Sequence, residues 1–426
     1  MYNSNELKNR LANGELNEKL IMLYGEDAIE IQKARYSEAI DEFVKEFGTP
    51  QGIGLFSAPG RTEIGGNHTD HNNGKVLAGS VNLDVIAVAA KNDSGIIRIK
   101  SKGFSMDSIE LSDLSIKENE IGSSASLIRG VAAKLKDEGY EIGGFDAYTT
   151  SNVLKGSGIS SSAAFEILVC TILSEIYNEG KVSPVDQAKY SQYAENVYFG
   201  KPCGLLDQMA ASVGGILSID FKDVQAPVIE KVDFDFTKTG YALCIVDTGG
   251  NHADLTDDYA AIPAEMKGIA QLLGCSVLRE TTETEVLRNA AFIREKLGDR
   301  ALLRAIHFFN ENKRVDAEIE ALSKNDFDGF LQTVIQSGES SYKYLQNVYA
   351  NVAPAEQGIS LALCLAESIL KGKGAWRVHG GGFAGTTQNF VPLDMLDTFK
   401  TTMEAVFGEG HCHVLFIRPV GGVKVS

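Results

Sequence analysis

The first informative pattern is apolar residues spaced for a helix. In "AIEIQKARYSEAIDEFVKEFG", Ile29, Ala34, Ala39, Phe43 and Phe47 recur near helical spacing, and Gly48 then stops the run. The spacing predicts helix over residues 4–48. The pattern then changes to β-type stretches, "GIGLFSA", "VLAGSVNLDVIAVAA" and "GIIRIKS". A helix is predicted at about 123–138 and a strand at "GFDAYTT". "SSSAAFEILVCTILSEIYNEG" (160–180) reads as a mostly buried helix opened by serines and closed by Gly180, with a second helix at about 185–199. "GGILSIDF" and "YALCIVDT" read as strands, and helical signals dominate 256–372. "AWRVHGGGFAGTTQNFV" reads as strand, glycine turn, strand. A helix near 393–406 and the strand "HVLFIRPV" close the chain. Strands and helices cluster rather than alternate, which is an α+β arrangement. A boundary is expected near 215–225, dividing 1–220 from 221–426.

Composition narrows the function classes. The 426 residues suffice for two or three domains, and 44% hydrophobic with 23% charged is an ordinary globular mixture. The net charge of −17 argues against a nucleic-acid surface, which needs cationic contacts. No apolar run reaches membrane-spanning length and the N-terminus lacks the apolar core of a signal peptide, so a cytoplasmic chain is expected. The six cysteines form no C-x-x-C pair and read as reduced thiols. The sequons at Asn67 and Asn92 are discounted for the same lack of a secretory signal.

Four segments carry chemistry. "GRTEIGGNHTDHNNG" (Gly60 to Gly74) packs Arg61, Glu63, Asn67, His68, Asp70 and His71 onto one glycine-studded loop. "GSGISSSAA" places Gly156, Ser157 and Gly158 before Ser160, Ser161 and Ser162 at a helix start. Glycines turn backbone N–H groups toward one point and a helix N-terminus adds positive potential, an anion site suited to polyphosphate. It is not a Walker loop, since no G-K-[ST] follows, and a serine-capped helix after an ordinary turn fits the same residues. "HGGGFAG" fits G-x-G-x-x-G at Gly380, Gly382 and Gly385, but only 41 residues follow and a strand succeeds it, which argues against an NAD-binding fold. A tight turn, or close backbone approach to a ligand, accounts for it. In "AENVYFGKPCGLLDQ", Glu195 and Asp207 lie twelve residues apart. Each, taken singly, reads as a cap or surface charge.

The ordered set "APGR…HTDHNNG", "GSGISSSAA", "CGLLDQ", "HGGGFAG" resembles the GHMP small-molecule kinases, and among them the galactokinases, over about residues 50–426. The resemblance implies an N-terminal domain like ribosomal protein S5 domain 2, a C-terminal ferredoxin-like domain and an active site in the cleft between them. It implies ATP and Mg²⁺ as cofactors, a sugar phosphorylated at its C1 hydroxyl, and a monomer. Asp207 matches the catalytic base and Arg61 the cation beside it. Arg61, Asn67, His68, Asp70, Gly204, Asp207 and Tyr259 match sugar-contact positions. Gly156, Ser157, Gly158, Ser160, Ser161 and Ser162 match the phosphate cradle. Glu195 and Ser162 match the Mg²⁺ ligands, with Ser161 competing for the latter role. Where galactokinases usually read "GRVNLIGEHTDY", this chain reads "GRTEIGGNHTDH". Asn67 thus replaces a glutamate that contacts the sugar C6 hydroxyl. Three readings follow: a neutral variant, a shift to a C6-modified sugar such as a uronic acid, or a companion to a change elsewhere on the sugar. A kinase for another sugar and a non-catalytic sugar and ATP sensor are the alternatives in function.

Overall fold

The computed structural model describes residues 2–50, 52–153, 160–201, 203–249 and 255–426. The helical run at the N-terminus divides into α1 (Ser4–Ala12), α2 (Asn17–Tyr24) and α3 (Ile29–Phe47). Asn3 caps α1 by accepting from the Glu6 amide, and Gly25 and Gly48 end α2 and α3. The inner face of α3, Tyr36, Ala39, Ile40 and Phe43, packs with Leu55, Ile86 and Val88 of the strands that follow.

Those strands are β1 (Ile53–Gly65) and β2 (Lys75–Lys91), followed by β3 (Ile96–Ser101), β4 (Met106–Glu110), α4 (Ser124–Asp137) and β5 (Phe145–Ser151). Then come α5 (Ser161–Tyr177), α6 (Pro184–Tyr193), α7 (Leu206–Val213), β6 (Ile216–Asp220) and β7 (Val228–Val232). β2 is long enough to change partners. Val85–Lys91 pairs with β5, whereas Lys75–Gly79 pairs with β6. The β1–β2 register shifts between Pro59 and Arg61 and again between Glu63 and Gly65. Such irregularities re-aim side chains, and here they flank Arg61 and Glu63.

The second half holds β8 (Tyr241–Asp247), α8 (Thr256–Leu272), α9 (Glu283–Arg288), α10 (Ala290–Ser323), α11 (Phe327–Ser340) and α12 (Gly358–Leu370). It closes with β9 (Ala375–His379), β10 (Thr386–Pro392), α13 (Leu396–Phe407), β11 (Cys412–Leu415) and β12 (Val423–Lys424). Four strands form an antiparallel sheet in the order β11-β8-β10-β9. Ala366, Leu370, Phe399 and Met403 of α12 and α13 bury against it. The first sheet runs β12-β1-β2-β5-β3-β4, with β6 on β2 and β7 on β6. Two strands from beyond residue 220, β7 and β12, therefore belong to the first sheet. Asp84 ties the parts together: it accepts from Tyr24 and Arg35 of the N-terminal helices, from Ser57 of β1 and from Arg418 of the C-terminal tail.

The predicted helix at 185–199 is α6 continued by a π-helical turn, Ala194–Phe199. β4, α7, β7 and β12 were not anticipated from the pattern. All six cysteines are free thiols. Among the described residues no helix is long and apolar enough to cross a membrane.

Candidate active site

Arg61 leaves β1 at its first register shift, and Asp207 stands in the first turn of α7. Arg61 Nε donates to Asp207 Oδ1 at 2.7 Å. Burial alone would raise the Asp207 carboxyl. The Arg61 charge and hydrogen bond, a hydrogen bond from Ser160 and the charge of Lys201 outweigh it and hold the carboxyl below its ordinary value. Ser160 precedes α5 with a left-handed backbone, φ 57°. That conformation is uncommon for a residue with a side chain.

Behind this pair lies a second carboxylate. The π-helical turn buries Glu195, and Ser162 Oγ of α5 donates to its Oε1 at 3.1 Å. Such turns occur often at functional sites. Lys201 Nζ reaches the same oxygen at 3.3 Å, while Gln208 Nε2 donates to Glu195 Oε2 at 2.6 Å and to Glu166 Oε2 at 3.1 Å. Burial and then the Glu195 charge push the Glu166 carboxyl well above its ordinary value. Ser162 and Glu195 offer a hydroxyl and a carboxylate, the hard oxygen donors that Mg²⁺ prefers, and Mg²⁺ needs few protein ligands because it keeps its waters. Among the described residues there is no group of three or more His, Cys, Asp or Glu arranged to hold a metal. Ser161 lines a cavity of about 390 Å³ with Ser101, Lys102, Phe104, Thr149 and Phe165. These lining residues carry no motif. Gly156, Ser157 and Gly158 lie outside the described residues.

On the other side of Asp207 lies the loop after β1. Asp70 is partly exposed, and a side chain added at Gly204 would meet its Oδ2 at 3.2 Å, so these two positions adjoin. His68 also has a left-handed backbone, φ 58°, and its Nε2 contacts Gly381 O at 2.9 Å. Burial lowers His68 to a pKa of about 4, leaving the ring neutral. Tyr259 of α8 donates to Gly382 O at 2.7 Å and meets Phe383 edge-on. The glycine turn 380–382 thus receives both His68 and Tyr259, which are 191 positions apart in the chain and were expected beside one ligand.

Asn67 departs from its expected position. It is fully buried, and its Nδ2 donates to Glu63 Oε1 at 3.0 Å and to Gly380 O at 2.7 Å. Its Oδ1 accepts from Asn347 Nδ2 at 2.9 Å and from Ser341 Oγ at 3.2 Å. Both ends of the amide are taken by protein groups, so it does not present a free hydrogen-bonding group to a sugar. α10 lies in the stretch 256–372 that reads as helical, but its part at this loop carries no signal in the sequence. There Glu311 accepts from the Gly66 and Asn67 amides at 3.2 and 3.3 Å and from Ser337 Oγ at 2.5 Å, and His307 Nε2 lies 2.9 Å from Asn67 O.

A family signature described as "Galactokinase galactose-binding signature" matches residues 41–91, and "GHMP kinases N terminal domain" matches 126–215. A galactokinase of Streptomyces coelicolor is 29% identical over 373 residues, spanning 86% of this chain and 92% of the relative. One from Glaesserella parasuis is 30% identical over 371 residues, spanning 84% and 90%. Among solved structures, Lactococcus lactis galactokinase complexed with galactose aligns with a TM-score of 0.76 at 23% identity, over 92% of this chain and all of that one. A Methanococcus jannaschii mevalonate kinase aligns with a TM-score of 0.63 at 15% identity, over 86% and 99%.

Proposed function

This chain belongs to the galactokinase family of GHMP kinases, and we propose that it transfers the γ-phosphoryl group of ATP to the C1 hydroxyl of galactose, giving galactose 1-phosphate. The observation that carries the reading is the Arg61–Asp207 pair at 2.7 Å. A carboxylate kept ionised by a fixed guanidinium is a base ready at neutral pH. The same guanidinium is a cation beside the transferred group.

In this reading Asp207 Oδ atoms accept the proton of the C1 hydroxyl as its oxygen attacks phosphorus, and the bond to the β-phosphate oxygen breaks. Phosphoryl transfer passes through a loose transition state, so positioning and charge neutralisation do most of the work. Arg61 and the N-terminus of α5, with Ser160 and Ser161 and the loop residues Gly156, Ser157 and Gly158, supply donors to the phosphates. Ser162 and Glu195 would hold Mg²⁺, which contributes charge neutralisation when bound. The cavity beside Ser161 has the size and mixed lining suited to the adenine base. In this reading His68, Asp70 and Tyr259, with the backbone at Gly204, are assigned to the sugar side of the site. A cytoplasmic monomer acting on free sugar is consistent with this assignment.

The test is ATP turnover with product identification on galactose, galacturonate, glucose, N-acetylgalactosamine, arabinose and fucose. Turnover centred on galactose, with phosphate on C1, is expected. Turnover centred on another sugar would keep the mechanism and move the substrate. Binding of sugar and ATP without turnover would make the chain a sensor and remove Asp207 from a catalytic role.

A further inference from the structure

Asn67 is the point where three separate segments meet. A side-chain amide has two donor hydrogens and two acceptor lone pairs. All four are used: donors to Glu63 and Gly380, acceptors from Ser341 and Asn347. The main chain of the same residue is held as well, its N–H by Glu311 and its carbonyl by His307. Asn347 Nδ2 also donates to Gly381 O at 3.1 Å, so the glycine turn is tied in twice.

We propose that Asn67 is a positioning residue: it joins the loop carrying His68 and Asp70 to the glycine turn 380–382 and to the 341–347 segment, and thereby sets where the sugar-contact groups stand. The inference rests on the sugar-kinase reading above. It explains why an amide stands here. Nδ2 faces two acceptors, Glu63 Oε1 and the Gly380 carbonyl, and a carboxylate in its place would put oxygen against oxygen in a fully buried site. Asn67 therefore says nothing in favour of a uronic acid, because both ends of its amide are already taken by protein groups. The carboxyl that Nδ2 meets is that of Glu63, whose Oε1 also accepts from Arg377 Nη2 at 2.8 Å.

The experiment exchanges the donor and acceptor. Asn67→Asp replaces the donating end with an acceptor while keeping the shape. The double variant Asn67→Asp with Glu63→Gln offers the new carboxylate a donor again and restores the total charge, but it leaves the Gly380 carbonyl without its donor and sets the new amide beside Arg377 Nη2. Two readouts apply to the full chain: KM for galactose against KM for ATP, and amide hydrogen exchange across residues 65–74 and 379–383. Asn67→Asp is expected to raise the galactose KM about tenfold or more, with ATP KM within about twofold, and to speed exchange in both segments. The double variant is expected to recover only part of either loss, since the Gly380 contact stays broken. Should Asn67→Asp fold too poorly to assay, Ser341→Ala removes one donor to Oδ1 and is expected to give a smaller rise in galactose KM, about two- to fivefold, with the same exchange signature. Unchanged exchange in both segments would overturn the proposal. Unchanged exchange alongside a raised galactose KM would point instead to direct sugar contact by Asn67. A wild-type chain that phosphorylates no sugar would remove the kinase reading, while the exchange data would still decide whether Asn67 holds the two segments together.

Discussion

Arg61 and Asp207 are 146 residues apart in the chain and share a hydrogen-bonded ion pair of 2.7 Å. Arg61 comes from an irregular β1 and Asp207 from the first turn of α7. Both segments are anchored by buried neighbours, Thr62 and Ile64 on one side, Gln208 and Met209 on the other. Packing on both sides therefore holds the two side chains in register.

Asp207→Asn keeps the shape and removes the proton acceptor. Turnover is expected to fall by about 10²–10⁴-fold, while ATP binding measured by calorimetry stays near wild type. A variant that turns over at the wild-type rate would exclude Asp207 as the base.

The same pair sets the acid side of the pH profile. Burial raises the Asp207 carboxyl, and Arg61, Ser160 and Lys201 more than reverse it. A depressed folded pKa means that the base is ionised throughout the neutral range, and that its stabilising pairing is lost only as pH falls through the folded value. The wild type should therefore show no loss of kcat/KM from this group above about pH 4. Arg61→Gln removes the largest opposing effect. Its acid limb should move to higher pH, alongside a lower kcat. An acid limb that stays in place would mean that Arg61 does not tune Asp207.

The chemistry-bearing loops were legible in the sequence because residue type alone marks them: an Arg, two His and an Asp among glycines have few structural uses. What those residues touch was not legible. Asn67 finds its partners at 63, 341, 347 and 380, and nothing local to the loop encodes them. α7, only eight residues long and entered through "GKPCGL", read as a turn. β7 is short and mostly exposed, so it lacked an apolar signature. The buried acids were hidden for another reason. Glu311 and Glu318 sit among charged residues of α10 and look like a solvated face. Glu166 did carry a signal, as a lone acid in the otherwise apolar "AAFEILVCTIL".

Glu318 offers a test of buried charge. Both of its carboxyl oxygens are buried without a hydrogen-bond partner among the described residues, and it packs against Gly65. Burial and then the Glu311 charge raise it well above the ordinary carboxyl value. The folded chain thus keeps a proton that the unfolded chain releases above about pH 4.3. Its contribution to stability is fully present below that pH and is lost as pH rises toward the folded value. Glu318→Met replaces the orphaned oxygens with apolar volume. Its melting temperature should exceed that of wild type by a margin that widens by about 2 °C or more between pH 4 and pH 8. A gap that shrinks with rising pH would show that Glu318 is ionised in the fold.

The glycine turn separates two substitutions that look alike. Gly382 has φ 80°, and a Cβ there would run into the Asn347 carbonyl, so Gly382→Ala should fail to fold or lose much of its stability. Gly381 has no such backbone constraint. Its added Cβ would lie 2.5 Å from Tyr259 Cε1. The ring must then swing away, breaking its hydrogen bond to Gly382 O and its edge contact with Phe383, at a cost of about 1–2 kcal/mol. If Tyr259 borders the sugar, Gly381→Ala should remain folded, lower kcat/KM for the sugar about tenfold and leave the ATP KM unchanged. Tyr259→Phe, which loses only the hydrogen bond, should fall between Gly381→Ala and wild type. Equal kcat/KM in all three chains would place Tyr259 outside the sugar site and leave the turn to His68 alone.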